Sequence, residues 1–423
     1  MPDTTTRLLR GVTFSHPRIV RPLLAAGERF EMLHQDVSVV WEEHSLRDFE
    51  ELSLCDLSER FDLMAFDHPL LGDAIQPGCL LDLEVERPGL IAGLEQNSLG
   101  LSLESYRVGN SLWGVPFDAA AQVAAWQVSA FLKAPQPRDL PGFLRFCEEQ
   151  GAESTAIPLL PAHAACTFLT VAASVKDLTP EDTKFFLDPV RMAPAFEIVR
   201  TIARHSSKSS FGLSPIALLE EMASGSPVVY SPFTFGYGTY ASVAQATSPL
   251  AFGESLRASS RMNRAVLGGA GVGVSSRSQQ RELAAEFAEF LVSPEVATVI
   301  TPKNLGQPGT RAGWGSATDS NMKDNFFSST LKVMESGIVR PRFSGFVDFL
   351  TAMGGNLVDA IDSGTSPKEF AETTINLFDD LCVSDPRLEA VIGSAGDKLP
   401  RPEQRMKLNP TQNLPSIGLL GGV

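Results

Sequence analysis

The sequence predicts an α/β fold with two lobes, and three observations support this prediction. The chain has 423 residues, which is more than one hydrophobic core usually organises, so two structural units are expected. Its residues are 43% hydrophobic and 20% charged, as is typical of globular proteins. Apolar runs alternate with stretches of about a dozen residues at helical spacing, a pattern that is typical of βαβ units and parallel sheets.

The N-terminal region predicts three strands separated by helices. The apolar runs Leu8–Phe14, Val37–Trp41 and Asp62–Phe66 predict the strands. Apolar side chains then recur at helical spacing from Ile19 to Leu33, which predicts an amphipathic helix between the first two strands. Much later, the glycine-rich run Gly268–Ser275 predicts a strand rather than a phosphate loop, because it contains neither G-x-G-x-x-G nor a Walker lysine.

Two His-Pro pairs occur at matching positions, one after the first predicted strand and one after the third. Ser15 and His16 precede Pro17, and Asp67 and His68 precede Pro69. Ligands bind beyond the carboxyl ends of parallel strands, so we expect these side chains to converge on one crevice. The alternative is that both pairs only begin helices, since proline is favoured at the first helical position. The candidate ligand-binding residues at this edge are Ser15, His16, Trp41, Glu43, Asp67 and His68.

The segment Trp113–Trp126 places two polar residues in an apolar run. Asp118 and Gln122 are surrounded by Trp, Phe and Ala, and burying either side chain without a partner costs free energy. We therefore expect both side chains to face a ligand. The alternative is a turn from a strand into a helix, with a solvated Asp118. We expect His68→Ala and Asp118→Ala each to weaken ligand binding or activity and to leave the melting temperature near that of the wild type.

Further candidate residues lie in the second half of the chain. Tyr237 belongs to an aromatic and glycine-rich loop, and its ring could stack on the C–H face of a sugar. The alternative is a loop that packs on its own lobe. Gln307 and Arg311 lie in a polar, glycine-rich segment, and Arg311 or Arg342 would bind a carboxylate if the ligand is acidic. A plain surface position is the alternative for Arg311.

Three segments are similar to the motifs that carry the chain between the lobes of one known family. In Gly109–Pro116, Gly268–Ser275 and Phe290–Val296 the chain resembles the family 1 extracellular solute-binding proteins of ABC transporters, in their carbohydrate-binding branch. The resemblance implies the type 2 periplasmic-binding-protein fold, with a ligand cleft between two lobes. The expected first lobe is residues 1–117 with 267–320, the second lobe is 118–266 with 321–396, and 397–423 form a C-terminal tail.

The same resemblance implies a binding function. We expect the chain to bind a carbohydrate or a related polyhydroxylated or acidic small molecule, that is, a sugar or sugar acid, as the substrate-binding component of an ABC transporter with permease subunits. No cofactor and no metal ion are expected. The formal net charge of −15 argues against nucleic acid or an anionic membrane as a partner. No apolar run is long enough to predict insertion into a bilayer.

A cytoplasmic enzyme is the alternative function. Residues 1–10 show no apolar signal-peptide core, which predicts a cytoplasmic protein unless an export signal was removed or the start site is misassigned. Five scattered cysteines fit either a reducing compartment or small buried hydrophobic residues. His16, His68, Asp67 and Asp118 would then supply acid–base catalysis to a lyase or isomerase acting on a sugar or hydroxy-acid derivative. A cytoplasmic ligand sensor is a third interpretation.

Overall fold

A computed structural model of the chain describes residues 6–45, 53–242, 246–259, 263–319 and 326–393. The predicted tail 397–423 lies outside the described residues. The strands are β1 (Arg7–Phe14), β2 (Val37–His44), β3 (Leu63–Phe66), β4 (Arg107–Val108), β5 (Ser111–Leu112), β6 (Val115–Gln127), β7 (Tyr230–Phe235), β8 (Leu250–Gly253), β9 (Leu267–Val274), β10 (Ile338–Val339) and β11 (Val391–Ile392).

Helices of very different length separate these strands. They are α1 (Pro17–Leu33), α2 (Leu54–Ser58), α3 (Leu71–Ile75), α4 (Leu83–Glu86), α5 (Leu90–Glu95), α6 (Leu140–Gln150), α7 (Pro161–Ser174), α8 (Pro189–Arg204), α9 (Pro215–Ala223), α10 (Arg281–Leu291), α11 (Thr301–Lys303), α12 (Arg311–Asp319), α13 (Phe326–Ser336), α14 (Phe346–Asp362) and α15 (Pro367–Leu381). Short 3-10 turns and a π-helical turn at Val296–Ile300 connect some of them. No helix among the described residues is both long and apolar enough to cross a membrane.

The main sheet is mixed, and its first part is parallel as predicted. The strand order is β2-β1-β3-β9-β6-β7, with β8 also paired to β6. Strand β1 runs parallel to β2 along its whole length, from Arg7 opposite Val37 to Phe14 opposite His44, and it is also parallel to β3. Strand β9 then lies antiparallel between β3 and β6. The glycine-rich run is therefore a strand, as the sequence indicated.

Strand β6 passes from one part of the sheet to the other. Asp118 to Ala121 pair with β9, whereas Gln122 to Gln127 pair with β7 and β8. The interpretation of this segment as a turn into a helix is wrong, because one extended strand of 13 residues occupies it. Almost every side chain on it is buried, so small alanines are needed for neighbours to approach from both faces. Pro116 lacks an N–H, and the pairing with β9 shifts register beside it.

Hydrophobic side chains form three clusters on this framework. The first surrounds β1, β3 and β9 and is closed by α1 and α10. The second lies among α7, α8, α14 and α15. The third packs α9 and α13 against the other face of β6. The predicted lobe boundaries at 117/118, 266/267 and 320/321 stay a prediction.

The cysteines are not all free thiols. Cys55 and Cys79 form a disulfide, and the side chains of Cys147 and Cys166 are buried. The spacing of 24 residues gave no sign of this pairing, which arises because α2 and the segment after α3 meet in space. Disulfides persist in oxidising compartments. The pairing therefore argues against the reducing environment that the scattered cysteines suggested.

Candidate functional site

A cavity of about 650 Å³ opens where several chain segments from both sides of β6 meet. Its walls include the ends of β1 and β3, the glycines at the start of β9, and the first turns of α7, α9 and α14. Most lining residues are apolar. The lining residues with polar side chains are Arg18, Asp67, His163, Ser214, Tyr237, Arg340 and Thr351. A volume of this size suits a small organic ligand.

Arg18 and Asp118 form a buried, two-pronged ion pair at the edge of the cavity. Arg18 Nε and Nη2 donate to the two Asp118 oxygens over 2.9 and 2.6 Å, and both side chains are buried. Burial raises the pKa of the Asp118 carboxyl, and Arg18 opposes this shift. Burial alone would lower the pKa of Arg18, but Asp118 raises it above its ordinary value. The pair therefore holds an ionised arginine out of water.

The same arginine fastens a distant loop to the start of α1. Arg18 Nη1 donates to the Gly236 carbonyl over 3.2 Å, and its guanidinium carbon lies 4.1 Å from the centre of the Tyr237 ring. The charge over the ring face adds a cation–π attraction. Tyr237 is thus held against the cavity wall by a residue 219 positions earlier in the chain.

Arg340 and Asp67 form a second ion pair, which is open to the cavity on one side. Arg340 Nη2 donates to Asp67 Oδ2 over 2.5 Å, and Arg340 is buried. The Asp67 side chain is 39% exposed, and its other oxygen accepts the His68 N–H over 2.9 Å, capping the turn that follows β3. Burial opposes ionisation, but Arg340 and His68 hold the pKa of Asp67 well below its usual range. Asp67 is therefore an ionised acceptor that a ligand can reach.

The two predicted histidines lie behind the cavity wall. His16 is buried and caps α1 by accepting the Arg18 N–H over 3.1 Å. The centre of its ring lies 4.9 Å from the centre of the Tyr237 ring, and the two rings are steeply inclined to each other. His68 is fully buried, with Nδ1 3.1 Å from Asp67 Oδ1. Neither of its ring nitrogens makes a hydrogen bond to the described part of the chain. Both histidines support residues that line the cavity and do not line it themselves.

The predicted residues near β1 and β2 lie outside the cavity lining. Ser15 donates to Glu43 over 2.7 Å, and both residues are exposed. The Trp41 ring lies directly against Gly11, where an added Cβ would clash with it. The geometry therefore gives no support to ligand contacts by Ser15, Trp41 and Glu43. The end of a strand locates an edge of the sheet, but it does not set the direction in which each side chain points.

The remaining predicted residues have structural partners. Gln122 donates to Thr167 over 3.3 Å. Gln307 accepts the Gly238 N–H and donates to the Ala119 carbonyl, which ties the Tyr237 loop to β6. Arg311 pairs with Glu335 over 3.2 Å, and Arg342 donates to the carbonyls of Glu104 and Arg107. Of the residues predicted to bind a ligand, Asp67 and Tyr237 line the cavity. Asp118 does not line the cavity but binds Arg18, which does.

Several residues that line the cavity were not predicted from the sequence. Arg18 follows His16 by two positions, but an arginine in the first turn of a helix is usually solvated. Arg340 lies two positions before the predicted Arg342, but the two side chains bind different partners, Asp67 and the Glu104 carbonyl. His163 lies in the first turn of α7, and Phe235 ends β7. One feature of the sequence did point to Arg340, namely its position between the apolar residues Val339 and Pro341.

Lowering the pH from about 6.5 to about 4 is expected to destabilise the fold, because two histidines of this region resist protonation. Burial, reinforced by Arg340, lowers the pKa of His68 and of His163 to about 4 each. An unfolded histidine titrates near 6.5, so the unfolded chain binds protons first in this window and is favoured. The pKa of Asp67 is also lowered in the folded chain, so protonation of this residue reduces the free energy of unfolding further, but only below about pH 4. Urea midpoints at pH 7, 6 and 5 measure the decline.

The variant His68→Phe removes one titrating group, so its urea midpoint should fall less between pH 7 and 5. The exposed His205 offers a matched control, since His205→Phe should keep the wild-type slope. A slope in His68→Phe equal to that of the wild type would show that His68 does not resist protonation.

No group of three or more His, Cys, Asp or Glu in the described ranges is arranged to hold a metal ion.

Comparison with known proteins gives one family match. The family model described as bacterial extracellular solute-binding protein matches residues 26–305, which is more than half of the chain. No curated protein sequence matches the chain significantly.

Several solved structures share the fold. Maltose-bound MalE3 of T. maritima is 16% identical, with a TM-score of 0.72 over 88% of this chain and 100% of that chain. An ABC transporter solute-binding protein of Thermotoga lettingae bound to α-D-tagatose is 15% identical, with a TM-score of 0.73 over 89% and 100%. The GacH receptor of Streptomyces glaucescens, solved unliganded and with acarbose, is 15% identical, with a TM-score of 0.72 over 89% and 98%. At these identities the likeness shows the fold alone, and the predicted fold class is confirmed.

Proposed function

The chain belongs to the bacterial extracellular solute-binding protein family, and from that premise we propose that it binds a neutral carbohydrate or polyol in the cavity beside Asp67. The main support for this proposal is the distribution of charge in the cavity. Its two arginines are committed to carboxylates, and Asp67 keeps an exposed, ionised face. A carboxylate that accepts hydrogen bonds is suited to ligand hydroxyl groups.

An acidic ligand fits this cavity poorly. Arg311 and Arg342, which were expected to bind an acidic group, are engaged elsewhere. Arg18 and Arg340 are already neutralised by Asp118 and Asp67. A ligand carboxylate would also face the charge of Asp67 and would have to lose its own hydration. We therefore favour a neutral ligand over a sugar acid.

Three features support the transport role. The maltose-bound and tagatose-bound proteins share this fold, so a saccharide ligand is compatible with the architecture. Strands β6 and β9 link the two parts of the sheet and could act as a hinge for closure around the ligand. The Cys55–Cys79 disulfide fits a protein that works outside the cytoplasm. We propose ABC permease subunits as its macromolecular partners.

We do not favour the enzyme alternative. It requires His16 and His68 at the reacting atoms, and both are buried behind lining residues. Asp118 is bound through both oxygens to Arg18, which leaves it poorly placed to exchange a proton.

Matched pairs of neutral and acidic ligands test the proposal. Glucose is compared with glucuronic acid and galactose with galacturonic acid by thermal shift and titration calorimetry, and maltose and mannitol extend the neutral set. At least one neutral compound should raise the melting temperature, since a ligand at 100 times its Kd adds about 2.7 kcal/mol to stability. Tighter binding of an acid than of its neutral counterpart would contradict the proposal.

A further inference from the structure

Part of the cavity wall is aliphatic and continuous. We call this surface, formed by Leu70, Leu160, Pro161, Pro215, Val347 and Leu350, the aliphatic wall. Its pieces come from the turn after β3 and from the starts of α7, α9 and α14. These pieces adjoin one another: Leu160 donates its N–H to the Leu213 carbonyl, and the Gly354 backbone lies against Pro161.

Leu160 breaks a local rule at the start of α7. It occupies the N-cap position and makes no side-chain cap there, although Ser, Thr, Asp and Asn are strongly preferred at that position. It is also 38% exposed, while its neighbour Leu159 is fully buried. Positions that give up local stability in this way are expected at functional sites. At this position the chain therefore has exposed apolar surface in the cavity and lacks a side-chain cap for α7.

The aromatic rings of the site offer little free face for stacking. Phe14 and Tyr237 are only 5% and 6% exposed, and Arg18 already covers the Tyr237 ring. Phe235 also lines the cavity and is half-buried, with the Arg340 guanidinium carbon 5.9 Å from its ring centre and the Gly268 backbone close to its edge. None of the tryptophans lines this cavity in the described structure. The Trp314 side chain, for example, is fully buried. In the aliphatic wall, by contrast, Leu160 is exposed and Leu70, Pro161 and Val347 are half-buried. This aliphatic surface needs a partner other than a sugar ring face.

We infer that the natural ligand is a saccharide or polyol that carries an apolar group, such as an alkyl or aryl glycoside. Its hydroxyl groups donate to Asp67, and its apolar group covers the aliphatic wall. This inference rests on the proposed function and narrows its ligand class. Removing both the aglycone and the wall from water supplies affinity that a bare sugar lacks.

Matched glycosides and three variants of the full chain test the inference. Glucose, galactose and maltose are each titrated as the free sugar, the methyl glycoside and the phenyl glycoside. For a sugar that binds, the phenyl glycoside should bind about tenfold more tightly than the methyl glycoside. Leu160→Asn and Val347→Asn should each reduce this ratio of methyl to phenyl glycoside Kd to about threefold or less.

The variants also separate binding from folding. Leu160→Asn supplies the missing cap, so its melting temperature should match or exceed that of the wild type while phenyl glycoside affinity falls. Val190→Asn is the matched control for Val347→Asn, because each valine is the second residue of its helix and Val190 is 69% exposed away from the cavity. It should leave all affinities unchanged.

Two outcomes would overturn the inference, and they are distinguishable. If free sugars bind and phenyl glycosides bind no better than methyl glycosides, the proposed function stands and the aliphatic wall has no role in recognition. If neither free sugars nor any glycoside binds, the proposed function fails and the inference fails with it.

Discussion

Asp118→Ala is expected to lower the free energy of unfolding by about 3–5 kcal/mol, the range found when one partner of a buried ion pair is removed. Without this carboxylate, the partners that remain for the buried Arg18 guanidinium in the described part of the chain are the Gly236 carbonyl and the Tyr237 ring. This replaces the earlier expectation of a melting temperature near the wild-type value, which assumed that Asp118 faces a ligand. Urea unfolding followed by fluorescence measures the change.

Two controls isolate the buried pair. Asp36→Ala breaks the exposed pair with Arg7, whose side chains are both well solvated, and should have a much smaller effect. The double variant Arg18→Met/Asp118→Ala removes the stranded charge and should recover most of the loss. If Asp118→Ala is no more destabilising than Asp36→Ala, the pair does not hold this part of the fold together.

Asp67→Asn is expected to weaken binding of a neutral ligand by about tenfold to a hundredfold. The estimate follows from hydrogen bonds to charged groups, which contribute about 1.5–3 kcal/mol each. Asparagine keeps an oxygen that can accept the His68 N–H, so the turn after β3 should persist. The buried Arg340 loses its carboxylate partner, so some stability should also be lost, and binding is measured well below the melting temperature of the variant. It removes the negative charge that faces the cavity. Titration calorimetry with the tightest neutral ligand of the panel measures the loss.

Asp82→Asn provides the matched control for this variant. Asp82 is also a half-buried cap, and its carboxylate accepts the N–H groups of Glu84 and Leu112 away from the cavity. Its substitution should leave affinity at the wild-type level. Equal losses in both variants would indicate a general effect on folding, and no loss in Asp67→Asn would remove Asp67 from the site.

Much of the framework was predictable because it depends on local patterns. The apolar runs and the helical spacing from Ile19 to Leu33 predicted β1, β2, β3 and α1. The glycine-rich run predicted β9. Strand β6 was harder, because an alanine-rich segment is compatible with helix by intrinsic propensity and becomes a strand only through its pairing with β7, β8 and β9.

The candidate site was only partly predictable, because it is assembled from non-local pairs. Arg18 meets Asp118 across 100 positions, and Arg340 meets Asp67 across 273. The sequence singled out Asp67 and Asp118 as polar residues in apolar surroundings. It could not show that Asp67 faces the cavity, whereas both oxygens of Asp118 are bound by Arg18. The Cys55–Cys79 disulfide was hidden for the same reason.

The role of Asp67 in ligand binding is tested by a crystal structure of the full chain with the tightest-binding neutral glycoside. We expect the ligand in the cavity, with at least one hydroxyl oxygen within about 3.0 Å of an Asp67 carboxylate oxygen. A ligand bound elsewhere, such as in the smaller crevice beside Trp113 and Arg387, with Asp67 untouched, would contradict it.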